Sequence, residues 1–260
     1  MLIKLMKHEL KATARLLIPL YLMLLCTTVI NRIVLRLDIY EGILGIISGF
    51  LIFAYILLIV AILAVTSLLM IIRFYKNLLS EEGYLMFTLP AKTHQLITSK
   101  LLITLFWIIV SIVVILSSLY IVFATQVRMS NVMDVINEAI AELHTVGGNW
   151  NLLLAELAIM CLLGLISKIL LFYVSIAVGQ LVTGNKLIGS FVSFVAITAA
   201  MQFFIVIIIV VFSMLYSVNL YDASILPKFI LPVSIVITML ECVGFYAATN
   251  YIFKRKLNLE

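Results

Sequence analysis

Apolar positions run almost unbroken through six stretches, at 16–35, 42–72, 101–125, 152–182, 187–217 and 225–253, with shorter polar segments between them. A hydrocarbon core about 30 Å thick needs ~20 residues of helix, so each stretch predicts a transmembrane span. A membrane barrel would alternate polar and apolar positions, and these runs do not. The pattern predicts an all-α, polytopic membrane protein with six transmembrane helices. Composition agrees: 65% of the 260 residues are hydrophobic and 11% are charged, too few charges to clothe a soluble surface.

Charge placement predicts the orientation. With a cytoplasmic N-terminus, the inner segments hold Lys4, Lys7, Lys11, Arg15, Arg73, Lys76, Lys92, Lys100, Lys186, Lys254, Arg255 and Lys256, and the outer ones hold Arg32, Arg36, Arg128 and Lys228. Twelve against four puts both termini in the cytoplasm, as six spans require. The net charge of +5 is a topological signal spread along one membrane face and gives little support to nucleic-acid binding. The expectation is a multi-pass protein of the plasma membrane.

A single membrane domain over 1–260 leaves no room for a soluble catalytic domain. Cys26, Cys161 and Cys242 fall within spans without metal-binding spacing, and read as buried small apolar residues. Residues 1–15 are too charged for a removable signal and read as an amphipathic opening helix at the cytoplasmic interface. Leu2, Leu5, Met6, Glu9, Leu10, Thr13 and Leu17 share one side of it. A plain basic flank anchoring the first span accounts for the same charges.

Two connections are longer than needed. The cytoplasmic segment 73–100 contains Glu81, Glu82, a breaker at Gly83, the apolar run Tyr84, Leu85, Met86 and Phe87, and Pro90; Thr93 is placed to cap the third span. Its apolar run fills either a partner's groove or the protein's own headgroup-level surface. The outer segment 126–151 carries Val132, Val135, Ile136, Ala139, Ile140 and Leu143 at helical spacing, with Asp134, Asn137, Glu138 and Glu142 elsewhere on the wheel. Gly147 and Gly148 end it, and Trp150 opens the next span. It predicts a surface helix that lies on the outer leaflet or caps a pathway, with a structural lid the favoured role.

Ionisable groups within spans are costly. Lys168 and Glu241 lie 14 and 12 positions from the inner ends of the fourth and sixth spans, about 21 and 18 Å at 1.5 Å per residue. Similar depth predicts a buried ion pair, structural or moving in a cycle. Gly45 and Gly49 form a GxxxG spacing, and Ser190, Thr198 and Gln202 share a face of the fifth span. No phosphate loop or HExxH pair is present, and His8, His94 and His144 fall outside the apolar runs. Glu81-Glu82 resembles the start of the motif of membrane-embedded prenyl-protein proteases, but Met86 stands where an Arg is required. Lys168 and Glu241 suit ion-coupled secondary transport, although no internal repeat supports it.

Three stretches carry a resemblance: KLMKHELKATARLLIPLYLMLLCTTVIN from Lys4, NLLSEEGYLMFTLPAKTHQLITSK from Asn77, and YVSIAVGQLVTGNK from Tyr173. They resemble the membrane subunits of bacterial ATP-binding-cassette (ABC) transporters of the type-2 permease class. The resemblance implies a permease subunit, more in keeping with export than import. Its partners would be a second permease copy or a sister permease, membrane lipid, and a separate ATP-binding subunit that carries ATP and Mg; no cofactor is expected in this chain. It implies that the opening helix and the loop meet the ATPase, with Tyr84, Leu85, Met86, Phe87, Glu81 and Glu82 at the interface. The short connection at 218–228 departs from relatives that carry re-entrant helices there. The substrate is not named by any residue pattern.

Overall fold

The computed structural model describes residues 2–36, 42–79, 93–123, 129–145, 149–182, 185–216 and 230–255. Within these it is all helical: α1 (Leu2–Arg36), α2 (Gly42–Leu79), α3 (Thr93–Phe123), α4 (Met129–Thr145), α5 (Trp150–Gly179), α6 (Lys186–Tyr216) and α7 (Leu231–Arg255). Six of them, all but α4, are long and apolar enough to cross a membrane. They match the six apolar stretches in order. The shorter α4 is the amphipathic segment expected between the third and fourth spans, and α3 begins at Thr93 and α5 at Trp150, where the sequence places their starts.

The opening helix is not separate from the first span. Residues 2–36 form one helix with Pro19 inside it, because nothing between Arg15 and Leu16 breaks the chain, and membrane helices accommodate an internal proline.

Contacts divide the chain into two compact units, 1–73 with 98–136, and 74–97 with 137–260. In the first, α1, α2 and α3 meet along stripes spaced three, four, seven or eight residues apart. Leu17, Tyr21 and Leu24 from α1, Tyr55, Ile62 and Met70 from α2, and Ile103, Trp107, Ile115 and Val122 from α3 make its core. Polar side chains share these stripes. Tyr21 and Ser111 hydroxyls lie 2.7 Å apart, Thr66 and Ser111 3.1 Å, and Tyr55 and Ser118 2.8 Å, while Asn31 donates to the Leu51 carbonyl at 3.4 Å. Lipid offers such groups no partner, so they turn inward and bond helix to helix, at roughly 0.6 to 2 kcal/mol each.

In the second unit α5 packs against both α6 and α7. Ser234 reaches the Met160 sulfur at 3.0 Å and the Cys242 thiol the Leu163 carbonyl at 3.6 Å, so α5 and α7 run parallel. Phe74 stacks on Tyr173, rings 3.7 Å apart and 7° from parallel, and meets Phe253 at 5.9 Å. Phe172 stacks on Phe194 between α5 and α6. Contrary to the expectation of buried thiols, Cys26 and Cys161 are exposed and Cys242 is partly so. The outer side of an apolar span suits a small, weakly polar thiol.

The turn from α5 to α6 depends on Gly179. A Cβ there would lie 2.3 Å from both the Ser190 amide nitrogen and its Oγ, whereas one at Gly49 would meet nothing within 4 Å. Gly179→Ala is therefore expected to destabilise the protein by about 1–3 kcal/mol through forced backbone displacement. Gly49→Ala is expected to be neutral or slightly stabilising. Thermal unfolding of the two variants in detergent checks the contrast.

Candidate functional site

The helix-forming pattern of α1 places Glu9, Thr13 and Leu17 on successive turns of one face, and all three are buried. Leu10, assigned to that face from the sequence, is 37% exposed because one residue turns the helix by about 100°. Glu9 is the point where three helices converge. Lys100 on α3 donates to its Oε1, and Arg73 on α2 lies with Nε 3.4 Å from its Oε2. The Lys100 side chain is 7% exposed and that of Glu9 11%, whereas Arg73 retains 26%.

A second layer braces the helical turn that carries Glu9. The Thr13 hydroxyl donates to the Glu9 carbonyl at 2.8 Å and accepts the Trp107 indole N–H at 2.7 Å. Trp107 also lies 6.1 Å from the Tyr21 ring. One acidic side chain thus holds two cations, and the indole pins the turn that presents it. The cluster lies at the loop-side ends of α2 and α3: Arg73 is six residues before Leu79, and Lys100 seven after Thr93, about 9 and 10 Å along each helix.

The residues expected to meet a partner, Glu81, Glu82, Tyr84, Leu85, Met86 and Phe87, lie outside the described residues. The Glu9 cluster is not legible in the charge pattern, where Arg73 and Lys100 count only as topological cations. The available signal was Glu9 itself, the sole acidic residue among the cations of 4–15.

Within the second unit the expected Lys168–Glu241 ion pair does not form. Ser167 donates to the Glu241 carboxylate at 2.9 Å, and Lys168 is exposed. Adjacent residues point about 100° apart on a helix, so the face toward Glu241 belongs to Ser167. Glu156, in the outer part of α5 by the expected orientation, has its Oε2 buried without a hydrogen-bond partner. Ser190 and Thr198 return their hydroxyls to their own helix, at the Lys186 and Phe194 carbonyls, and Gln202 is exposed.

Comparisons with protein-family models, curated proteins and solved structures find no match for this chain. Among the described residues the arrangement is all helical, with six helices long and apolar enough to cross a membrane, and a buried ionic cluster ties α1 to both helices flanking the 80–92 connection.

Removing one partner of a buried pair leaves a charge uncompensated, at about 3–5 kcal/mol. Glu9→Gln is expected to destabilise the first unit by that order. Combining Glu9→Leu with Lys100→Met should recover most of the loss, since apolar replacements remove the stranded charge while Arg73 can reach water. Chemical or thermal unfolding of wild type and both variants in one detergent reads this directly.

Proposed function

We propose that the chain is the membrane-spanning permease subunit of an ATP-driven ABC transporter, working in export, with ATP binding and hydrolysis on a separate chain. The observation that carries this reading is the Glu9 cluster. The opening helix and the loop between the second and third spans are the two segments that the sequence resemblance assigns to the ATPase, and Glu9 fastens the first to both helices that flank the second. With the N-terminus cytoplasmic, as the positive-inside distribution favours, the cluster lies on the face of the plasma membrane where ATP is available.

In this reading Tyr84, Leu85, Met86 and Phe87 fill a groove on the ATPase, with Glu81 and Glu82 beside them. ATP-driven closure there biases the membrane helices between two arrangements by differential contact. The cluster makes α1, α2 and α3 respond together. A second permease copy or a sister permease completes the transporter. Ion-coupled transport with Lys168 and Glu241 as coupling groups is the competing reading; Glu241 accepts from Ser167 at 2.9 Å, and Lys168 is exposed.

Affinity purification of the tagged chain from its native membrane in mild detergent, with mass spectrometry of its partners, tests the proposal. An ATP-binding-cassette ATPase is expected with wild type and is expected to be lost from a Tyr84→Ala, Phe87→Ala double variant. Intact wild-type complexes without an ATPase would contradict the assignment. Retention by the double variant would remove the coupling role from those side chains.

A further inference from the structure

Most of the described residues on the apolar side of α4 are exposed. Met133 is 56% exposed, Val135 65% and Ile136 38%, and Ile140 alone among the described apolar residues of this side is half-buried above alanine size. A lid resting on its own chain would cover these side chains. The opposite side carries Asp134 and Glu138, and α4 contains no Lys or Arg along Met129–Thr145.

Chain connectivity limits where this face can go. Five residues, 124–128, separate α4 from the end of α3, and four, 146–149, from the start of α5. At up to ~3.5 Å per residue, each end of α4 stays within about 20 Å of the end of a span. The helix is about 25 Å long at 1.5 Å per residue and is tethered at both ends to a single side of the membrane. The surface continuous with both tethers is the lipid interface.

We propose that α4 is a membrane-surface helix whose Met133, Ile136 and Ile140 side inserts into the interfacial layer of the leaflet where α3 ends and α5 begins, and that the lipid it fits is neutral. Insertion of an amphipathic helix scales with buried apolar area plus its attraction to anionic headgroups. Here the second contribution has the opposite sign. Asp134, Glu138 and Glu142 are repelled by anionic lipid, so apolar burial alone holds the helix down. This differs from the cation-rich faces usual for helices that bind anionic membranes, and it holds whatever the chain transports.

The test places a nitroxide label on single cysteines at Met133, Asp134, Ile136, Glu138, Ile140 and Ala141, in the full chain with Cys26, Cys161 and Cys242 replaced by Ala. In phosphatidylcholine vesicles, collision with oxygen is expected to dominate at 133, 136 and 140, and collision with a water-soluble nickel chelate at 134, 138 and 141. Replacing part of the phosphatidylcholine with phosphatidylglycerol is expected to lower the oxygen preference at 133 and 136 roughly twofold, and about 0.5 M salt to restore it by screening. Equal nickel access at all six sites would overturn the proposal in favour of a solvated helix. Shielding of 133 and 136 from both reagents would overturn it in favour of a lid or a protein partner, and unchanged or deeper insertion with phosphatidylglycerol would overturn the choice of lipid.

Discussion

A carboxylate in an apolar bundle must keep its counterions, and the arrangement of the first unit follows from that requirement. Glu9 sits on a turn that Thr13 and Trp107 hold in place, and it draws Lys100 and Arg73 from two other helices. A pair of this kind contributes less to net stability than to specificity, because desolvation offsets much of its Coulomb energy. Its effect is on register: α1 cannot slide or turn relative to α2 and α3 without stranding a buried charge. The hydroxyl contacts of Ser111 and Ser118 extend the same logic along the bundle, since each is satisfied at one helix register only.

Adjacent residues of α2 serve different units. Arg73 belongs to the first and is held by Glu9, while Phe74 belongs to the second and stacks on Tyr173 and beside Phe253.

The spans were legible because lipid leaves one signal, the length of an uninterrupted apolar run, and all six appear in order. The amphipathic α4 was legible for a related reason: its polar and apolar positions separate cleanly at a helical period. The buried polar contacts were not. Glu9 lies 91 residues from Lys100, and nothing local in the sequence distinguishes a lysine that folds inward from one that marks the cytoplasmic side. The Glu241 contact shows how fine the failure can be. Depth counting reached the correct turn of α5, and a one-residue step exchanged Ser167 for Lys168. Periodicity also missed the joining of the opening helix to the first span, because amphipathic and wholly apolar segments can share one helix when no breaker lies between them.

The most direct measurement of the central claim is the distance distribution, by pulsed electron paramagnetic resonance in lipid nanodiscs, between spin labels at Lys11 on α1 and Ile72 on α2, with Glu9 intact and as Glu9→Gln. Both positions are exposed, so the labels leave the cluster undisturbed. A single narrow distribution that broadens or shifts in the variant is the result this account predicts. The same narrow distribution in both proteins would contradict it, because α1 would then be held against α2 by apolar packing without help from the ionic cluster.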